Sequence, residues 1–245
     1  MAKNVIIDSL LEPLDGTKTA KVDINAGTGN LTIDPLTGDA QVLASGTLQY
    51  FEDQGLPTRT LDSSNGQTTL TLRRKDTGRS WFRLPWEACL GELEWQIHLN
   101  PRVSSDIVAH SDGGNVKLEL GGIAATHVAA DTGGGNLDVV LPDTVANLNA
   151  TASTGAGNVT IEIGSGTTGN NTVDASSGAG NVVVRVPRGI AARVHARTGL
   201  GKTIVDSRFS KIDSNTYQSP DYDGAANKVV ITAHSGAGNV SIDTK

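Results

Sequence analysis

The sequence is poor in cysteine, in aromatic residues and in charge, and each scarcity excludes a class of protein. Cys89 is the single cysteine, so no internal disulfide can form, and a reducing compartment is favoured. Aromatic residues make up 4% and charged residues 19% of the 245 positions, and no stretch has the apolar spacing of a helix. The pattern is therefore not that of a helical or a disulfide-stabilised protein.

Long apolar runs and an excess of basic residues are also missing. No run approaches the roughly 18 apolar residues of a membrane span, and the opening MAKNVIIDSLLEPLDG lacks the apolar core of a signal peptide. We therefore expect a soluble chain with no membrane span, and the cytoplasm is favoured. The net charge of −6 leaves no basic stripe to neutralise phosphates, which argues against nucleic acid as a partner.

The sequence does contain one short motif that recurs. In AADTGGGNLDVVLP, TASTGAGNVTIEI and ASSGAGNVVVRVP, an Asn follows a Gly and precedes alternating apolar residues. The steps from Asn115 to Lys202, where Lys replaces the Asn, are 21, 22, 23 and 21 residues. Self-similarity at such a period predicts stacked repeats, each forming one rung. The copies are centred on Asn30, Asn115, Asn136, Asn158, Asn181, Lys202 and Asn239.

The residue before this central position is Gly in every copy. Because Gly adopts positive φ without a steric cost, the sevenfold column predicts a sharp corner with positive φ in each rung. A Ser or Thr four residues before the centre is placed to satisfy backbone groups at the corner. The predicted corners are Gly29, Gly114, Gly135, Gly157, Gly180, Gly201 and Gly238.

Apolar residues alternate on both sides of each corner, so both arms are predicted to be strands. The sequence therefore predicts an all-β fold, a single elongated parallel β-solenoid-like stack over residues 1–245 with 21 to 23 residues per rung. Irregular capping segments complete it. We expect the rungs to stack in chain order, which places Gly180 between Gly157 and Gly201.

Two segments interrupt the period. Residues 37–100 contain irregular strands and an aromatic insertion, and alternation predicts strands there at 41–51, 68–75 and 93–99. Residues 206–228 are predicted to be a hairpin or loop inserted before the last rung. Both segments are candidate caps for the ends of the stack.

Three runs in this sequence resemble a known family: WQIHLNPRVSSDIVAHSDGGNVKLELGGI, VAADTGGGNLDVVLP and VRVPRGIAARVHARTG. They are similar to the toast-rack domains of the bacterial putative adhesin family and of the soluble part of cell-wall-active antibiotic response proteins. The resemblance covers most of residues 19–245. It implies a β-solenoid-like stack with no known catalytic residues.

Three features suggest specific binding functions, and each also has a purely structural interpretation. ARTGLGKT at 196–203 fits a loose phosphate-binding loop, but Gly199, Gly201 and Lys202 are in phase with the other corners and no helix follows. Calcium-binding β-roll repeats need an Asp where most of these rungs have Val or Leu. We therefore predict no cofactor and no metal. The five histidines are scattered and expected to be solvated: His98, His110, His127, His195 and His234.

Catalysis is not expected from the distribution of acidic residues. Enzymes built on parallel β-helices gather carboxylates or arginines on one outer face. The outward acidic residues of the regular rungs occupy different columns, so no catalytic group is predicted. These residues are Glu119, Asp131, Asp138, Glu162 and Asp174.

The remaining candidate site is the aromatic stretch 80–89. Its residues Trp81, Phe82, Arg83 and Trp86 would form an exposed binding patch. The alternative, which is favoured, is an apolar lid over the end or flank of the stack.

The sequence thus favours a non-catalytic scaffold or interaction module of bacterial type, regulatory or associated with the envelope. Its expected partner is another protein or an envelope component. The alternative is a self-associating, adhesin-like structural solenoid, and a remote alternative is a carbohydrate-active β-helix enzyme. Terminal rungs template polymerisation unless they are capped, so the candidate caps lead us to expect a monomer or a small closed oligomer.

Overall fold

The computed structural model describes residues 4–38, 41–75 and 93–245. Within them the one helical element is a short 3₁₀ turn at Glu52–Gln54. The strands, in chain order, are β1 (Val5–Pro13), β2 (Thr19–Asn25), β3 (Asn30–Pro35), β4 (Val42–Phe51), β5 (Thr58–Ser64), β6 (Gln67–Arg73), β7 (Glu94–Leu99), β8 (Ser104–Ser111), β9 (Val116–Glu119), β10 (Ala125–Gly134), β11 (Leu137–Val140), β12 (Asn149–Ala156), β13 (Val159–Glu162), β14 (Asn170–Ala179), β15 (Val182–Val186), β16 (Ala191–Leu200), β17 (Thr203–Val205), β18 (Ser210–Lys211), β19 (Thr216–Gln218), β20 (Lys228–Ala237) and β21 (Val240–Thr244).

These strands form two long sheets. Sheet A has ten strands in the order β1-β4-β7-β3-β9-β11-β13-β15-β21-β17, and sheet B has eleven in the order β18-β19-β16-β20-β14-β12-β10-β8-β2-β6-β5. In each regular rung the chain runs along a strand of sheet B, turns at a corner and continues along a strand of sheet A. Neighbouring rungs pair in parallel and in register, as Val128 does with Ala150 and Leu137 with Val159. The predicted all-β, parallel, solenoid-like stack is confirmed.

The rungs do not stack in chain order at the C-terminal end. Strand β20 pairs with β14 on one side and β16 on the other, and β21 lies between β15 and β17. The neighbours of Gly180 are therefore Gly157 and Gly238, and the expectation that Gly201 is a neighbour is wrong. The cause lies in residues 206–228, whose hairpin β18–β19 occupies the outer edge of β16. Strand β20 then pairs with the inner edge of β16.

The described strands of the insertion 37–100 extend the other end of the stack. The first rung, β2–β3, pairs directly with β8–β9, and the inserted residues place β6 beside β2 and β7 beside β3. The strands predicted at 41–51, 68–75 and 93–99 are confirmed as β4, β6 and β7. Antiparallel β1, β4 and β5 complete this end. The sequence pattern does not predict β5, because its residues are nearly all exposed and do not alternate.

The core is a narrow apolar layer between the two sheets. Sheet A contributes branched residues such as Val159 and Ile161, and sheet B contributes branched residues such as Val173 together with a column of small residues such as Ala152, all of them buried. Side chains from the two sheets thus form one close-packed layer, as is usual for a protein core. Phe209, from the segment 206–228, joins the same apolar cluster near the end of the stack.

The corners are the tightest part of the stack. Positive φ, between +139° and +153°, occurs at Gly135, Gly157, Gly180, Gly201 and Gly238. Gly29 and Gly114 do not have positive φ, so the prediction of positive φ is wrong for those two. What all seven share is that an added Cβ would overlap a backbone carbonyl oxygen. This oxygen belongs to Leu93 at Gly29, and to the corner Gly of the neighbouring rung at the other six.

Replacing Gly180 by Val is expected to lower the free energy of unfolding by at least about 2 kcal/mol. The new Cβ would overlap the carbonyl of Gly157, and Val would have to adopt a φ of +152°. Thr160→Val, at an outward and half-buried position of β13, is the control and should change stability by less than about 0.5 kcal/mol. Urea melts measure both, and equal midpoints would contradict the close approach of backbones at the corner.

Candidate functional site

A ladder of asparagine side chains runs along the corners. The Oδ1 atom of each Asn accepts a hydrogen bond from the backbone N–H at the same position of the next rung, at 2.8 to 3.0 Å. The ladder provides hydrogen-bond acceptors for the backbone N–H groups at the corner, between the end of the sheet B strand and the start of the sheet A strand. In stack order it links Asn30, Asn115, Asn136, Asn158, Asn181, Asn239 and Lys202.

The Ser or Thr that lies four residues before the central position of the repeat forms a second ladder inside the corner. Each hydroxyl donates a hydrogen bond to the carbonyl of the corner Gly in the preceding rung, as Ser177 does to Gly157 at 2.7 Å and Thr198 to Gly238 at 2.7 Å. The prediction that these hydroxyls satisfy backbone groups at the bend is confirmed. The corner residues are thus used to join rungs.

Lys202 ends the asparagine ladder. Its backbone N–H donates to Asn239 Oδ1 at 3.0 Å, but a Lys side chain carries no acceptor for a further rung. It lies in the rung β16–β17, and no described strand follows β17 in sheet A. The replacement of Asn by Lys therefore marks the end of the stack, which sequence reasoning missed.

The segment 196–203, which fits a loose phosphate-binding loop, forms the end of β16, a corner and the start of β17. A phosphate loop presents its ligand to the N-terminus of a following helix. Here the chain continues as a strand, and Gly201 and Lys202 make the corner contacts found in the other rungs. The structure thus gives this segment the role of a corner.

Acidic residues of the regular rungs contact local cations. Glu162 lies 2.6 Å from Lys245 Nζ and 3.8 Å from the guanidinium of Arg185, and Glu119 lies 3.0 Å from Lys117 Nζ. No cluster of three or more His, Cys, Asp or Glu side chains arranged to hold a metal occurs in residues 4–38, 41–75 and 93–245. Glu162 and Glu119 thus belong to separate ion pairs.

His110 is the one histidine held between two carboxylates in the described part of the chain. Its Nε2 lies 2.9 Å from Asp112 Oδ1, and its Nδ1 contacts Asp131 in the neighbouring rung. Partial burial acts to lower the pKa of His110, but hydrogen bonds to Asp112 and Asp131 and the charges of both outweigh burial and raise the pKa above 6.5. His110 faces outward as predicted, yet it is fixed in place by its neighbours rather than free in solvent.

The other histidines have unrelated surroundings. His98 contacts Asp34 on sheet A, and His195 Nδ1 lies 3.1 Å from the Thr216 hydroxyl. His234 Nδ1 lies 3.4 Å from the carbonyl oxygen of Arg197. His195 and His234 lie on the neighbouring strands β16 and β20, but each contacts a different partner.

A polar groove crosses the outer face of sheet B where β2, β6 and β8 begin, with a volume of about 480 Å³. Lys21 and Asp106 are register partners on neighbouring strands, so the groove carries one ammonium and one carboxylate side by side. Sequence reasoning missed the groove, because β6 and β8 are far from β2 along the chain and yet pair with its two edges. Its polar lining is Thr19, Lys21, Gln67, Thr68, Thr69, Ser104, Asp106 and Thr126.

The binding patch expected at Trp81, Phe82, Arg83 and Trp86 lies outside the described residues. The choice between a patch and a lid therefore stays a prediction. In the part of the chain that the structure does describe, no helix has the length and hydropathy needed to cross a membrane.

Asp131→Asn is expected to reduce stability more at acidic than at alkaline pH. Because the pKa of His110 is raised in the folded state, its stabilising contribution is complete below its ordinary value of 6.5 and is lost as pH rises through the folded value. The stability difference from wild type in urea melts should be larger at about pH 5.5 than at about pH 8.5. Asp138→Asn, exposed on β11, is the control. A pH-independent difference for Asp131→Asn would show that His110 is not stabilised by this pair.

Family models match two overlapping parts of the chain. Residues 2–162 match the N-terminal domain of toast_rack, DUF2154. Residues 145–242 match the C-terminal region of LiaF, described as cell wall-active antibiotics response. No curated protein matches the chain significantly.

Solved structures support the fold. A putative cell adhesion protein from Clostridium sporogenes ATCC 15579 is 18% identical, with 99% of this chain and 100% of that chain covered and a TM-score of 0.67. A putative adhesin from Bacteroides fragilis NCTC 9343 is 9% identical, with 98% of both chains covered and a TM-score of 0.34. The similarity to the first structure shows the fold alone. Because the toast_rack model spans more than half of the sequence, this chain belongs to the toast_rack N-terminal domain family.

Proposed function

We propose that the chain is a non-catalytic interaction module of the bacterial cell envelope and that the groove on sheet B binds a polar, largely uncharged envelope polymer. The observation that carries this proposal is the lining of the groove. Hydroxyl and amide groups from Thr19, Gln67, Thr69 and Ser104 surround it. Such groups both donate and accept hydrogen bonds and do not require a charged ligand. They are therefore suited to the hydroxyl and amide groups of sugars.

The charges in the groove support binding rather than hydrolysis. Glycoside hydrolysis requires two carboxyl groups on opposite sides of the bond that breaks. The groove contains one carboxylate, Asp106, and its register partner is the cation Lys21. One ammonium beside one carboxylate leaves the groove nearly neutral, which suits a neutral or zwitterionic ligand.

An envelope location is supported by the descriptions of the matching proteins. The C-terminal model is described as cell wall-active antibiotics response, and the solved structure from Clostridium sporogenes is described as a putative cell adhesion protein. The alternative of an end-to-end structural polymer is less favoured, because antiparallel strands lie at both ends of sheet B and Lys202 interrupts the corner ladder.

Thr69→Arg should abolish binding to purified cell-wall polymer, because a long cation at this half-buried position fills the groove. Thr172→Arg is the matched control, since Thr172 occupies the equivalent register position of sheet B five strands away and outside the groove. Co-sedimentation with insoluble cell-wall polymer measures binding. Equal binding by wild type and both variants would overturn the groove as the site.

The same mixtures also test the enzyme alternative. Incubation of the wild-type protein with the polymer should release no soluble fragments or new reducing ends. Release of either, lost on Asp106→Asn, would replace the binding proposal with a hydrolytic one.

A further inference from the structure

The two sheets end differently at the C-terminal end of the stack. In sheet B the outer edge of the terminal strand β16 is covered by the antiparallel strand β19. In sheet A the terminal strand is β17, and no described strand pairs with its outer edge. An uncovered edge presents unpaired backbone donors and acceptors and is a template for a further strand.

The pairing of β17 with β21 shows which of its backbone groups face the open edge. The Lys202 carbonyl accepts a hydrogen bond from β21 at 3.0 Å, and the Asp206 N–H donates one to β21 at 2.9 Å. In a parallel pair, alternate residues bond to the same neighbour, so Ile204 also faces β21. The N–H and C=O groups of Thr203 and Val205 therefore face outward.

Exposed apolar side chains are found on the same terminal rung. Ile204 is 53% exposed and Leu200, beside the corner, is 75% exposed. Their register partners in the adjacent inner rung are the small residues Ser241 and Ala237. Apolar side chains thus replace small ones where the stack stops, which is typical of a surface that becomes covered.

We propose that this edge binds a second copy of the chain, whose β17 pairs antiparallel to it about a two-fold axis at Ile204. Thr203 then lies opposite Val205 of the second copy, and the two residues exchange N–H to C=O hydrogen bonds through their outward groups. The two Ile204 side chains contact each other across the axis. The pairing joins the two copies of sheet A into one continuous sheet.

The charges on β17 match this arrangement. Lys202 and Asp206 lie two residues before and two residues after Ile204. By alternation they share its outward face. In the antiparallel pair each Lys202 lies opposite Asp206 of the second copy, so one ion pair forms on each side of the axis. Asp206 Oδ1 accepts a hydrogen bond from the backbone N–H of Arg208 at 2.8 Å, but the guanidinium of Arg208 is bonded to the carbonyls of Pro187 and Ile190 and does not neutralise Asp206.

The same residues favour a closed dimer over a growing fibre. Parallel addition of another rung would require a side-chain acceptor at position 202, and Lys provides none. Antiparallel addition of a second β17 does not require this acceptor. Because the contact is two-fold symmetric, the open β17 edges of both copies become paired and neither is left for a third copy. The edge is thus complementary to itself and not to the opposite end of the stack.

A charge exchange tests the register of this dimer. Wild-type protein should sediment with increasing concentration toward twice its mass of 25.4 kDa. Lys202→Glu and Asp206→Lys should each weaken self-association at least about tenfold, because each places like charges opposite one another. An equimolar mixture of the two variants restores both opposite-charge pairs and should dimerise again. Asp138→Lys, at the outward position of the inner strand β11 that corresponds to Ile204 of β17, should behave as wild type.

A second measurement addresses the backbone and does not depend on how well Asp206→Lys folds. Hydrogen exchange at the amides of Thr203 and Val205 should slow as wild-type concentration rises, while Ile204→Lys should remain monomeric with both amides exchanging rapidly. A wild-type protein that stays at 25.4 kDa at all concentrations overturns the proposal. A dimer whose mixed variants fail to associate, or whose Thr203 and Val205 amides exchange at an unchanged rate, also overturns it.

Discussion

The fold depends on how closely one backbone approaches the next at each corner. In six of the seven corners, the carbonyl of the neighbouring corner glycine occupies the space that a Cβ would need. At Gly180, for example, this is the carbonyl of Gly157. That same carbonyl accepts a hydrogen bond from a hydroxyl such as Ser177. A side chain at the corner would therefore separate the rungs and break the hydrogen bond together. Gly29 and Gly114 lack positive φ yet obey the same limit, so proximity is the general constraint.

This constraint is local and repeats, which is why the sequence predicts so much of the fold. The glycine column and the alternation around it are enough to predict the strands and the parallel stacking. The rung order is another matter, because β16–β17 and β20–β21 present the same glycine column and similar apolar columns, with Lys202 in place of Asn in the first. The hairpin β18–β19 decides between them by occupying the edge of β16. Non-repeating residues therefore set the order of repeating ones.

The candidate site was much less predictable than the fold. Thr69 and Ser104 are far apart in the sequence, and they line one groove because β6 and β8 pair with the two edges of β2. No periodic pattern encodes these two pairings. The pairing of His110 with Asp131 was within reach of the sequence, since they occupy the same column one rung apart. Such pairs follow once the column is assigned and the rung order is known.

Exceptions within a column carry the most information about function. The side chain of a corner Asn stabilises the following rung, because its Oδ1 accepts a hydrogen bond from the backbone N–H of that rung. In the terminal rung, β16–β17, no rung follows to donate such a hydrogen bond, and the position is occupied by Lys202. The loss of the acceptor removes one template for parallel growth, while the exposed Ile204 on the same strand creates an apolar surface for a different contact. In a repeat protein, the residue that breaks its column thus identifies the end of the stack and the chemistry available there.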